Sequence, residues 1–279
     1  MLTRALFFAL LICPAIGASA ADTDKWELVW NDEFNATDAR PDPIKWNYEE
    51  GRVRNKEAQY YTRDRRENAR VENGKLILEA RKEAHKGAQY TSASITTQDR
   101  FAFTYGRIEI RAKTPTGKGT WPALWMLRQD RGKARWPDSG EIDIMEQVGH
   151  DAGTIYSTIH TGDKTRPNNL FSSGGKIKNQ KPWEDFHVYT MEWTPDRLDF
   201  YFDETKVHSY LRDPENPQRW PFTESMYLIM NIAIGGTWGG AIDDAVLPAR
   251  MEIDWVRIYR SKTPQTVAPT APGKTKNKV

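Results

Sequence analysis

The sequence predicts an all-β protein, and three observations predict it. From Trp26 to about Arg260, short stretches rich in Val, Ile, Tyr, Phe and Trp recur between clusters of Gly, Pro, Asn and Asp. Within those stretches apolar and polar side chains tend to alternate, as they do on a pleated strand with one face buried. After the N-terminal segment, no apolar pattern of helical spacing is sustained for ten or more residues. Many short strands punctuated by turns make a sandwich or a barrel.

Taken in order, the chain begins with a segment that reads as an export signal, residues 1–20. Arg4 supplies the positive start, Ala5 to Ile16 are apolar apart from Pro14, and Ala18-Ser19-Ala20 fits a small-residue cleavage site. That run is too short to span a bilayer, and no later stretch approaches the length needed, so no membrane partner is expected. Cys13, the only cysteine, lies inside the signal and follows Ile12 rather than the small residue a lipid anchor needs. The expected mature chain is therefore secreted, soluble and free of thiols, which excludes cysteine nucleophiles, disulfides and cysteine-based metal sites.

Residues 22–260 read as one domain, with no internal repeat and no linker. Lys75–Arg81 follows the Asn73-Gly74 turn and sets Leu76, Leu78 and Ala80 against Ile77 and Glu79. Gly106–Lys113 places Ile108, Ile110 and Ala112 on one face and Arg107, Glu109, Arg111 and Lys113 on the other. Ser139–Val148, Thr154–His160, His187–Trp193, Leu198–Phe202, Met226–Ile234 and Arg250–Tyr259 continue the series. Residues 261–279 are poor in apolar side chains and rich in Pro, Thr and Lys, the composition of a disordered tail. The 40 basic and 38 acidic residues nearly cancel, which gives no reason to expect nucleic acid as a partner. Eleven tryptophans fit either core filling or flat platforms for sugar rings.

The chemistry concentrates at Glu141-Ile-Asp143-Ile-Met-Glu146. Alternation puts Glu141 and Asp143 on one face, with Ile142 and Ile144 in the core. Glu146 belongs to the opposite face unless one residue is inserted, so the spacing predicts a β-bulge near Ile144–Met145 that turns it back beside the other two. Like charges crowded on one face raise at least one pKa. A retaining glycosidase uses such an arrangement, with one ionised carboxylate as nucleophile and one protonated carboxylic acid about 5–5.5 Å away. An exposed acidic strand or a calcium site is the plainer reading of the same residues.

This segment resembles the E-x-D-x-x-E signature of glycoside hydrolase family 16 in its bulged form. Trp30–Phe34, Asn55–Glu57 with Gln59–Tyr61, Tyr105–Arg107, Gly119–Met126, Thr158–His160, Asn231–Gly240 and Ile253–Arg257 resemble its laminarinase branch, in the family's order. The resemblance implies a β-jelly roll of two curved antiparallel sheets with a concave cleft, and hydrolysis of β-1,3-glucan with retention. It implies Glu141 as nucleophile, Glu146 as general acid/base and Asp143 as support for Glu141. It further implies Trp121 and Trp125 beside the cleavage point, and Asn55 and Arg107 on sugars toward the non-reducing end. His160 would lie near the leaving group, and Trp238 would line the cleft or fill core. No catalytic cofactor is implied. A structural calcium held by Glu33, Gly74 and Asp254 is, as is a monomer whose partner is the β-glucan itself.

The chain departs from the pattern at Arg52-Val53-Arg54, where a glycine and an aromatic are expected, and at Lys56, which stands in place of asparagine. Two rival readings stay open at this point: mixed-linkage glucan or an agar-type galactan as substrate, and β-glucan recognition without cleavage. The bulged spacing and intact carboxylates count against dedicated mixed-linkage enzymes and against a non-catalytic binder.

Overall fold

The computed structural model describes residues 24–130, 132 and 134–263. The export signal expected at 1–20, and all but the first three residues of the expected tail, lie outside them. In chain order the strands are β1 (Trp26–Asp32), β2 (Asp38–Ala39), β3 (Asn47–Tyr48), β4 (Gln59–Tyr61), β5 (Ala69–Glu72) and β6 (Lys75–His85). Next come β7 (Ala88–Ser92), β8 (Ser94–Thr96), β9 (Gly106–Lys113), β10 (Thr120–Arg128), β11 (Glu141–Glu146) and β12 (Ile155–Gly162). The series ends with β13 (Leu170–Ile177), β14 (His187–Trp193), β15 (Arg197–Phe202), β16 (Thr205–Leu211), β17 (Met226–Ile234) and β18 (Ala249–Ser261). A four-residue helix, α1 (Gly236–Gly239), lies between the last two.

The strands form two sheets. One follows the order β16-β15-β14-β9-β18-β6-β5-β2, with β1 joined to β18 and β7 joined to β6. The other follows β13-β12-β11-β10-β17-β8-β3. Neighbours run antiparallel, except for the short parallel pair of β4 and β7. One apolar core fills the space between the sheets. Leu76, Leu78 and Ala80 from β6 and Ile108, Ile110 and Ala112 from β9 meet Leu124, Met126, Ile142 and Met230 from the facing sheet.

The alternation that predicts β6 and β9 holds because each has one apolar face in this core and one charged face turned outward. On that outer face, Glu79 is fully buried among the guanidinium groups of Arg70, Arg81 and Arg250. β17 shows no alternation in burial, since all nine of its residues are buried. Its Leu228, Met230, Ile232 and Ile234 face the core, while on the opposite face Tyr227 and Ile229 pack with Ala123 and Trp125, and Ala233 with Trp121 and Val148. At the other extreme, β13 contains Ser-Ser-Gly-Gly and is an edge strand, exposed at every second position over most of its length. It has little apolar content because little of it is buried, and sequence alone gives it no strand signal.

Candidate active site

Glu141, Asp143 and Glu146 lie on β11, near the middle of the second sheet, with β10 on one side and β12 on the other. The predicted bulge is present. Toward β10, Asp143 pairs with Trp125 and Met145 with Leu124, leaving Ile144 without a partner. Toward β12, Asp143 pairs with Thr158 and Glu146 with Tyr156, three steps on one strand against two on the other. The extra residue sends Ile142, Ile144 and Met145 into the core and returns Glu146 to the face that carries Glu141 and Asp143. All three carboxylates line a cavity of about 590 Å³ on that face.

Burial decides the proton inventory. It pushes the Glu146 carboxyl well above the ordinary range; the charge of Asp143 adds to this, and the indole of Trp121, donating to Glu146 Oε1 at 3.0 Å, opposes it. Burial and the neighbouring Glu141 likewise raise Asp143 well above its usual value. Glu141 is also raised by burial, but His160, Arg54 and a hydrogen bond from Trp136 pull it back down. Of the three, Glu141 is the carboxylate most supported in its ionised form, and Glu146 is held as an acid. The sequence-derived roles need that division of labour.

His160 stands opposite Glu141 on β12. Its Nε2 lies 3.3 Å from Asp143 Oδ2, and its Nδ1 is 2.6 Å from Ser172 Oγ. Asp143 Oδ2 is buried and makes no hydrogen bond of good geometry. Side-chain atoms of Glu141, Asp143 and His160 come within 4.8 Å of one another.

The wall beside the carboxylates is a hydrogen-bonded chain. Trp125 Nε1 donates to Asn231 Oδ1 at 2.7 Å, Asn231 Nδ2 to the Tyr61 hydroxyl at 3.0 Å, and that hydroxyl to Glu57 Oε2 at 3.2 Å. Gln59 and Asn55 also donate to Glu57, at 2.6 and 3.2 Å. Asn55 therefore lines the cavity as expected, with positive φ and its carbonyl tied to Thr237. Trp121 and Trp125 line it too, but both are largely buried, at 9% and 6% exposure. Trp238, on α1, meets Trp121 edge-on at 5.5 Å and Tyr156 at 5.0 Å and stays half-buried. It extends the aromatic patch past Glu146 and is not core.

One expectation fails. Arg107 is on β9 in the other sheet, on its outer face, paired with Glu109 at 2.5 Å and Glu192 at 2.6 Å. It does not line the cavity. The Tyr105-Gly106-Arg107 segment is structural: a Cβ on Gly106 would sit 2.2 Å from the Tyr259 carbonyl oxygen, so only glycine lets β9 approach β18 there. Sequence reasoning also missed two cavity residues, Arg54 and Trp136. Arg54 was legible only as a departure from the family pattern, and Trp136 only as an aromatic just ahead of the carboxylate strand. At 52%, Trp136 is the more exposed platform.

The segments carrying Glu33, Gly74 and Asp254 converge, since β1 and β6 both pair with β18 around its irregularity between Ile253 and Trp255. Arg257 grips both Glu33 oxygens, at 2.9 and 2.8 Å, and Arg111 pairs with Asp254. In this arrangement each of the expected calcium carboxylates, Glu33 and Asp254, is paired with a guanidinium group.

Comparison with known proteins agrees with this geometry. The description Glycosyl hydrolases family 16 matches residues 56–257. A β-glucanase from Rhodothermus marinus is 46% identical over 272 residues, covering 92% of this chain and 94% of its own length. The solved laminarinase from Rhodothermus marinus superposes with a TM-score of 0.79 at 46% identity, over 85% of this chain and 98% of that one. SCLam, a non-specific endo-β-1,3(4)-glucanase, gives 0.78 at 41%, over 88% and 95%. The two antiparallel sheets are thus the jelly roll of those enzymes, and the chain belongs to glycosyl hydrolases family 16.

Proposed function

We propose that the protein is a secreted, monomeric endo-glucanase that cuts β-1,3-glucosidic bonds in laminarin-type glucans with retention, and cuts mixed-linkage β-1,3-1,4-glucan as a side activity. The observation that carries this reading is the bulge at Ile144, which gathers two half-buried carboxyl groups onto one cavity wall, Glu146 raised further than Glu141. Similarity to the Rhodothermus marinus laminarinase supports the substrate class, and similarity to SCLam supports the side activity.

In the first step, ionised Glu141 attacks the anomeric carbon while Glu146 gives its proton to the glycosidic oxygen, which leaves as a hydroxyl. The glycosyl ester on Glu141 is then attacked by water. Glu146, now ionised, takes the water's proton, and Glu141 departs as carboxylate. Asp143, on the same face between them, takes the role of supporting Glu141. The chemistry runs on carboxyl groups and water and requires no cofactor.

Reducing-sugar release on laminarin, curdlan, lichenan, barley mixed-linkage glucan and agarose, measured side by side, tests the reading. Strong release from laminarin as a short ladder is expected, and release from agarose alone would overturn the substrate. The structural calcium is tested separately: millimolar calcium should raise the Tm of chelator-treated protein if an ion replaces the arginine contacts at Glu33 and Asp254.

A further inference from the structure

The cavity wall beside the carboxylates is shaped by a residue for which the family resemblance offers no role. Arg54 lies on the loop between β3 and β4, and its guanidinium carbon sits 4.7 Å from the centre of the Trp125 ring. That loop is anchored to α1 through Thr237 N, which donates to the Asn55 carbonyl at 3.0 Å. Arg54 Nη2 pairs with Glu49, whose other oxygen accepts from Ser94 Oγ at 2.7 Å, so the ion pair is itself braced by β8. Nη1 is enclosed and has no hydrogen-bond partner, while about a fifth of the Arg54 side chain stays accessible at the cavity.

Trp125 is poorly placed to serve as a sugar platform. Its indole N–H is committed to Asn231, one ring face lies under the guanidinium, and 6% of the residue is exposed. A planar cation over an aromatic face is a stable arrangement that a sugar ring would have to displace. An arginine edge, with its fixed fork of donors, suits the hydroxyl oxygens of a sugar, and about a fifth of this side chain is open at the cavity it lines.

We infer that Arg54, not Trp125, is the sugar-binding residue on this side of the cleft, and that it recognises a glucosyl unit through hydroxyl hydrogen bonds instead of ring stacking. Arg54 is thereby a specificity-determining residue: it favours sugars that present hydroxyl acceptors at that position and disfavours binding through an apolar ring face. The inference deepens the β-glucan reading and rests on it.

The experiment uses the inactive Glu141→Gln protein and measures its affinity for laminari-oligosaccharides by calorimetry, with and without Arg54→Met. Methionine keeps an unbranched side chain over Trp125 but carries no donors. A loss of about tenfold or more in affinity, about 1.4 kcal/mol, is expected. Arg54→Lys should lose less than Arg54→Met, because it keeps the charge but not the fork. Unchanged or tighter binding by Arg54→Met would overturn the inference, since it would mean that the guanidinium obstructs a Trp125 platform. Thermal melts show whether each variant is folded. If Arg54→Met is not, Glu49→Gln, which frees Arg54 from its brace, is read in its place and should weaken the same binding. If the parent Glu141→Gln protein binds no β-1,3-oligosaccharide, the substrate reading fails first, and the Arg54 comparison is then made on whichever glucan or galactan oligosaccharide the parent does bind.

Discussion

Glu146 is held as an acid by its surroundings, and two consequences follow at the level of this one side chain. Turnover of natural glucan needs Glu141 ionised and Glu146 protonated, so activity should rise with pH as Glu141 loses its proton and fall as Glu146 does. Burial raises both groups, which places both limbs above the ordinary carboxylate range. Glu146→Gln should cut kcat on laminarin by about 10²–10⁴-fold. On an aryl glycoside with an excellent leaving group, the first step should survive and its pH profile should lose the alkaline limb. The second consequence concerns stability. A carboxyl group whose folded pKa is raised stabilises fully below its unfolded pKa, and that contribution is lost as pH rises through the folded value. Glu146→Gln keeps the acceptor for Trp121 and removes a buried acid, so its Tm should exceed that of the native protein at pH 7, and the difference should vanish near pH 4. Equal melting at both pH values would show that Glu146 is not strained in its ionised form. Sequence reading reached these residues because three acids in six positions are unusual. It did not reach Arg54 or Trp136, because a side chain's place over a cavity depends on how loops fold back, and no periodicity records that.

At the scale of the element, β11 carries one extra residue. Deleting Ile144 removes the extra residue and leaves Glu141, Asp143 and Glu146 at alternate positions, so the three acids keep one face without a bulge. Cleavage of laminarin should therefore survive the deletion at a reduced rate, while a core substitution such as Ile144→Val should cost about 0.5–1.5 kcal/mol of stability and leave turnover near normal. Complete loss of activity in a folded deletion variant would mean that the bulge itself, not only the shared face, positions Glu146. The bulge was readable from the five-residue spacing of the glutamates combined with the chemical need to unite them. Strands β9, β14 and β17 were readable within a residue or so because they are long and rich in β-branched or aromatic side chains. β13 and β16 were not, since edge strands carry polar residues that local sequence does not distinguish from loop.

At the scale of the whole molecule, the outer sheet carries a charged network on its solvent face, and Glu79 is its most buried member. Removing one partner of a buried ion pair leaves the other charges uncompensated. Glu79→Gln should therefore lower stability by about 3–5 kcal/mol in chemical denaturation, with kcat unaffected because the cavity lies on the other sheet. A variant melting like the native protein would show that Arg70, Arg81 and Arg250 relax into solvent at little cost. The sequence revealed the charged face of β6 but not the convergence of three arginines from three strands on one carboxylate, which is a property of register between distant segments.

The last strand also governs when the molecule comes into being. β18 is paired along one edge with β9, and along the other first with β6 and then with β1, so its thirteen residues fasten together segments from the beginning and middle of the chain. A ribosome releases those segments long before it makes Ala249–Ser261. Until then the larger sheet exists as fragments with unpaired edges, and its half of the core has nothing to close against. The nascent chain is thus obliged to wait, unfolded, for its final strand, and a chain stopped before Ala249 should be found only as protease-sensitive or aggregated material.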